Sequence, residues 1–149
     1  MTNSTTETET IVVERLIDAS QETLFAYWTE SDKITQWLAK EADLDPRPGG
    51  NANLVMGGHV KPGTRFSGEN RFLVVEPHSH VEFTWGFDDE AVGVPPGSSI
   101  VAVDLIPQEK GTLVRVSHRD LPAGRDQSPY SERKGWNAML EHLEEAVTA

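Results

Sequence analysis

The chain has no cysteine in its 149 residues. Disulfide staples, thiolate metal ligands and cysteine nucleophiles are therefore excluded. Positive charge is scarce: 13 Lys and Arg stand against 24 Asp and Glu, for a formal net charge of −11. Such a surface repels phosphate backbones and anionic headgroups, so nucleic acid is not an expected partner. No apolar run reaches the roughly 20 residues of a membrane span. The opening MTNSTTETET lacks the basic and apolar halves of a secretory signal. These absences fit a cytoplasmic protein. Gly49-Gly50 and Gly57-Gly58 lack the lysine and the strand–loop–helix setting of a phosphate loop. Ser98, Ser99 and Ser117 have no nucleophile-elbow setting. The five histidines (His59, His78, His80, His118 and His142) show no ligand spacing. Neither a metal nor a cofactor is expected, and no catalytic constellation stands out.

What is present is one domain's worth of apolar residues, 37% of the chain, with 25% charged. Residues 1–8 read as a polar, disordered tail and 9–149 as a single domain. The most informative stretch is Val81–Phe87, VEFTWGF. Val81, Phe83, Trp85 and Phe87 alternate, so a strand sends all four to one face. Thr10–Ile17 reads as a first strand, with Val12 and Val13 breaking the alternation as if both faces were partly covered. Ser20 or Asp18 can cap a helix carrying Leu24, Phe25 and Trp28. Ser31 can cap a second one carrying Ile34, Trp37 and Leu38. Further strands are expected at 42–46, 52–56, near 65–68, at 72–76, 99–106 and 112–119. Pro46–Gly50, the acidic loop 88–97 and 108–111 serve as turns. Ser128 and Pro129 open a last helix with an apolar stripe at Trp136, Leu140, Leu143 and Val147. Strands followed by a long amphipathic helix predict an α+β domain: a curved antiparallel sheet wrapped around a C-terminal helix, with two short helices after the first strand.

Several segments carry a family resemblance. They are Ile17-Asp18-Ala19, Trp37, Asp45-Pro46-Arg47-Pro48-Gly49-Gly50, Val75-Glu76-Pro77 leading into Phe83-Thr84-Trp85, His118–Pro122 and Gly135-Trp136. On these the chain resembles the SRPBCC (START-like, helix-grip) superfamily. The likeness is to bacterial relatives of the C-terminal domain of the activator of the heat-shock-protein-90 ATPase. It covers about residues 10 to 148. Ser117 stands where the pattern has Thr, and Asp120 where it has Gly. The resemblance implies a cavity between sheet and long helix, where members of the superfamily hold apolar molecules.

The inward faces then give the candidate ligand-binding residues: Trp37, Met56, Phe83, Trp85, Val101, Val103, Val116, His118, Trp136 and Met139. The function expected first is a binding protein for a hydrophobic or amphipathic small molecule, with His118 as the polar group that orients it. Two alternatives accompany it. One is a chaperone-associated interaction protein, by likeness to the eukaryotic activators, with the acidic loop 88–97 as its partner face. The other is a cyclase- or hydrolase-like enzyme using His118 as acid or base. Asp104 could orient that histidine only from the opposite strand face. A monomer or a homodimer fits equally.

Overall fold

The computed structural model describes residues 8–55, 70–86, 94, 97–123 and 132–148. Met56, His59, Phe87, Ser128, Pro129, the expected strand near 65–68 and most of the acidic loop lie outside the described residues, as do residues 1–7.

Among the described residues, seven strands and three helices follow in the order β1 (Thr8–Ile17), α1 (Gln21–Thr29), α2 (Ser31–Ile34), β2 (Glu41–Leu44), β3 (Ala52–Val55), β4 (Phe72–Glu76), β5 (His80–Trp85), β6 (Ser99–Gln108), β7 (Gly111–Pro122) and α3 (Glu132–Thr148). Five strands form one antiparallel sheet in the order β1-β7-β6-β5-β4, and β2 pairs with β3. The fold is the expected α+β helix-grip: a curved sheet whose inner face meets the C-terminal helix. α3 packs on β1 and on α1 through Trp136, Met139, Leu140 and Leu143, all buried.

β5 keeps the alternation seen in its sequence, with Val81, Phe83 and Trp85 buried and His80, Glu82 and Thr84 part-buried on the other face. β1 alternates too. Val13 is buried and Val12 is 42% exposed, so the expected cover on both faces of this strand is not found.

Two irregularities explain the buried positions that strict alternation misses. A register shift lies between Phe72 and Val74 of β4. It brings Phe72 fully inside, while Val75 is only part-buried against the core. In β7, Asp120 takes φ +63 and the parity switches after His118, so Leu121 is buried as well. This is the position where the family pattern carries Gly. A left-handed backbone suits Gly, and Asp tolerates it better than most residues.

The Ser20 hydroxyl accepts the Thr23 N–H at 3.1 Å and caps α1, as expected. Ser31 does not cap α2. Glu30 holds that position without a side-chain bond, and Ser31 Oγ instead accepts the Leu44 N–H at 3.3 Å, tying the helix to β2. Helical geometry ends at Ile34, yet Ile34, Trp37 and Leu38 are all buried, so tertiary packing holds this short element.

The turn Asp45–Gly50 docks the small sheet on the large one. Gly49 N–H donates to Phe72 O at 2.8 Å and Phe72 N–H to Gly50 O at 2.9 Å. A Cβ on Gly50 would lie 2.0 Å from the Asp45 carbonyl oxygen, and Gly49 has φ +84. The two glycines of this motif are required by the backbone.

Candidate functional site

Three strands supply the wall of the grip: Val81, Phe83 and Trp85 from β5, Val101 and Val103 from β6, Val114, Val116 and His118 from β7. Each is at most 5% exposed. Trp28 comes from α1, Trp37 from the turn after α2, and Trp136 and Met139 from α3. The rings form one connected group. Trp28 meets Trp37 edge-on at 4.7 Å between centroids and reaches Trp136 at 5.9 Å and Phe83 at 6.4 Å. Trp85 lies 5.1 Å from Trp136, 5.9 Å from His118 and 6.1 Å from Phe83. These separations are those of tilted and T-shaped aromatic pairs. Of the ten residues named from the sequence, nine are thus brought to one interior; Met56 lies outside the described residues. No Asp, Glu, Lys or Arg is buried among the described residues.

His118 is fully buried and wired on both ring nitrogens. Trp136 Nε1–H donates to His118 Nδ1 at 3.0 Å. An indole nitrogen can only donate, so Nδ1 carries the lone pair and the neutral ring carries its proton on Nε2. Nε2–H then donates to Ser99 Oγ at 2.9 Å, and Ser99 Oγ–H donates to Trp85 O at 2.8 Å. This relay links α3, β7, β6 and β5. Its polarity bears on catalysis. Ser99 and His118 stand at nucleophile–base distance, but the base nitrogen facing the hydroxyl already holds a proton. Asp104, weighed as an orienting partner, is on the other face of the sheet and bonds His80 instead. Sequence patterning found His118 but not its partners, because Ser99 and Trp136 reach it from separate elements.

The indole accounting leaves one donor over. Trp37 Nε1–H donates to Tyr27 O at 2.9 Å and Trp136 to His118, whereas the buried Trp28 Nε1–H has no acceptor among the described residues. Sequence reading placed Trp28 on the buried stripe of α1; nothing in the sequence marks its N–H as unpaired. Asn70 is also fully buried. Its Oδ1 accepts from Thr84 Oγ1 and Gly97 N–H, and its Nδ2 has no acceptor among the described residues. Outside the wall, an open cleft of about 260 Å³ lies between residues 35–40 and His142 of α3, with Trp37 in its lining.

The outer face of the sheet holds a separate charged network. His80 Nδ1 lies 2.7 Å from Asp104 Oδ1 and its Nε2 2.7 Å from Glu82 Oε2. Arg119 Nη2 donates to Glu82 Oε1 at 2.9 Å. Both carboxylates accept, so the ring serves them best as an imidazolium. Burial alone would lower the His80 pKa, but its bonds to Glu82 and Asp104 outweigh burial and raise it. Burial would raise that of Glu82, and the bonds from His80 and Arg119 lower it. The network ties β5, β6 and β7 and faces away from the grip.

Comparison with known proteins places this geometry. The family model described as Activator of Hsp90 ATPase homolog 1-like protein matches residues 18–148. No curated protein matches the chain. Among solved structures, an AHSA1-like protein of Rhizobium etli is 32% identical, with a TM-score of 0.71, over 97% of this chain and 84% of its own. A Mesorhizobium loti protein is 24% identical over 94% of this chain and 97% of its own, with a TM-score of 0.76. DynU16, from the dynemicin biosynthetic locus, superposes with a TM-score of 0.74 at 20% identity, over 94% of this chain and 47% of its own. The last two likenesses concern the fold alone. No described helix is long and apolar enough to cross a membrane.

Proposed function

The chain belongs to the Activator of Hsp90 ATPase homolog 1-like family, and from that premise we propose that it is a binding protein for an apolar small molecule held between sheet and C-terminal helix. The fold is typically that of a ligand-binding domain. The observation that carries the proposal for this chain is the composition of the grip. Six aromatic rings and one imidazole gather there without a buried charge among the described residues. Ligand sites are mostly apolar and aromatic, with few polar groups to orient the guest.

In this reading Phe83, Trp85, Val101, Val103, Val116, Trp136 and Met139 form the contact surface and Trp37 closes one end beside Trp28. His118 is a positioning residue. Its two nitrogens hold Trp136 and, through Ser99, the backbone of Trp85, fixing two rings of the wall. Ser99 is not an activated nucleophile in this reading, because the histidine is held in the tautomer that cannot deprotonate it.

Native mass spectrometry of the protein purified from two unrelated hosts tests this. A reproducible added mass of a few hundred daltons, lost on extraction with organic solvent, supports the proposal. Clean apo protein from both hosts, together with no binding of apolar probes, would count against it.

A further inference from the structure

The outer face of the large sheet carries a pattern that fits a second copy of itself, whatever the grip holds. Across this face the strands lie in the order β1, β7, β6, β5, and their registers set the side chains in rows. One row reads Glu14, Arg115, Asp104, His80. Its signs run minus, plus, minus, plus, with His80 as the imidazolium between its two carboxylates. Such a row is antisymmetric about its centre, which lies between β7 and β6. The next row reads Leu16, Leu113, Ile106 and is apolar. Leu16 is 50% exposed, and Val12 on the same face of β1 is 42% exposed. These are two of the three large apolar side chains exposed among the described residues. The third, Leu73, is on β4 at the opposite end of the sheet. Two other surfaces suit a second copy less. The outer side of α3 exposes Glu141 and Glu145 and would meet itself with like charges. At the open edge of β1, Arg133 Nη1–H donates to Val12 O at 3.1 Å, which interrupts the addition of another strand there.

We propose that the chain forms a homodimer by packing the outer faces of two sheets about a two-fold axis that runs along the strands, between β6 and β7. The rotation lays β7 over β6 of the second copy and β1 over its β5, so the same patch serves both copies. Arg115 then faces Asp104 of the second copy, Glu14 faces its His80, and Leu113 faces its Ile106. A two-fold axis across the strands, through the charged row, would instead set Arg115 on Arg115 and Glu14 on Glu14. Shifted by one row, it would bury those charges against Leu16 and Leu113. The apolar row drives association and the charged row selects the orientation. Strands about 4.8 Å apart and same-face residues about 6.8 Å apart give four strands and three rows a footprint of roughly 400 Å² per copy. That is about half of a standard interface, so the dimer is weak and reversible, half-formed on the order of 0.1 mM.

Sedimentation equilibrium of the full chain, from about 10 μM to about 1 mM, tests this around that midpoint. The wild type should pass from monomer to dimer over the range. Leu16→Lys and Leu113→Lys should each weaken association at least tenfold. Each also lowers the net negative charge, which by itself favours association, so a loss reports the contact. Leu73→Lys makes the same change of charge on β4, which faces no strand in this dimer, and should associate like the wild type. If L113K fails to fold, L16K carries the test, because Leu16 is half exposed. The axis is read from a nitroxide on Lys110→Cys in the β6–β7 turn, in a chain with no other cysteine. Mixed with ¹⁵N-labelled chain, it should broaden Ile106 and Leu113 of the second copy and spare Ile100 and Arg119 at the far end of the same strands. A monomer at every concentration, or a dimer that L16K and L113K leave intact, overturns the proposal. Loss of the dimer in L73K overturns the choice of face. Broadening at Ile100 and Arg119 in place of Ile106 and Leu113 overturns the axis.

Discussion

The buried relay Trp136–His118–Ser99–Trp85 makes a prediction whose sign separates it from ordinary core packing. An isolated histidine in an apolar core gains stability when replaced by leucine, because a polar ring gives way to a hydrocarbon. Here His118→Leu strips the acceptor from Trp136 Nε1–H and leaves that donor buried without a partner. An orphaned buried donor costs ~1–3 kcal/mol. Ser99 loses the proton it accepts but keeps its own bond to Trp85 O. Trp136→Phe leaves His118 Nδ1 orphaned, at a similar cost of ~1–3 kcal/mol. It also leaves a void of roughly 40 Å³, worth about 1 kcal/mol at ~24 cal/mol per Å³. The double variant H118L/W136F contains neither orphan. It should therefore be more stable than the sum of the two single effects by about 2–6 kcal/mol, and the loss at Ser99 cancels from the cycle. Urea unfolding followed by far-UV circular dichroism measures this without relying on the altered tryptophan fluorescence. Equal m-values across the four proteins would certify the comparison. Additivity within about 0.5 kcal/mol would refute the relay.

Other consequences are simpler to check. The His80 network contributes most between about pH 4.5 and 6.5, the ordinary values of its two titrating groups. His80 has a raised folded pKa, so its contribution is complete below 6.5 and is lost as pH rises through that raised value; the lowered Glu82 value means its contribution fades only in acid. His80→Gln should flatten the fall in urea midpoint between pH 5.5 and 8.5, and an unchanged fall would be evidence against the network. Gly135 sits exposed in α3 with open space where a Cβ would go, so Gly135→Ala should stabilise by ~0.5–1 kcal/mol in thermal melts. Gly50→Ala should instead prevent the 45–50 turn from docking and lower the melting temperature markedly, since its Cβ meets the Asp45 carbonyl at 2.0 Å. Ser20→Ala removes the α1 cap and should cost about 1 kcal/mol, and a neutral result would place the cap elsewhere.

How much of this was legible in the sequence follows from the range of each signal. Alternation is local, so Val81, Phe83 and Trp85 declared their face, and the 136–143 stripe declared that of α3. The motif turn at 45–50 was legible because glycine and proline act on their own backbone. Phe72 and Leu121 were not assigned inward. A register shift and a left-handed Asp120 change the parity of their strands, and neither leaves a simple period. Ser31 looked like a cap by composition but bonds Leu44, thirteen residues on. The pairing of Asp104 with His80 rather than His118 follows from cross-strand register, which joins β5 to β6. The unpaired N–H of Trp28 is the furthest from legible. It depends on where every nearby acceptor points, and that is set only when α1, β5 and α3 meet.

The central claim, that the interior between sheet and helix receives a small apolar guest, is tested most directly by mapping backbone shifts while 2-acetonaphthone is titrated into the full chain. Phe83, Trp85, Val101, Val116, Trp136 and Met139 should move together, while Glu82, Thr84 and Asp104 on the outer face stay within noise. Shifts confined to the cleft at Thr35–Lys40 or to the outer face, with the inner wall unmoved, would contradict it.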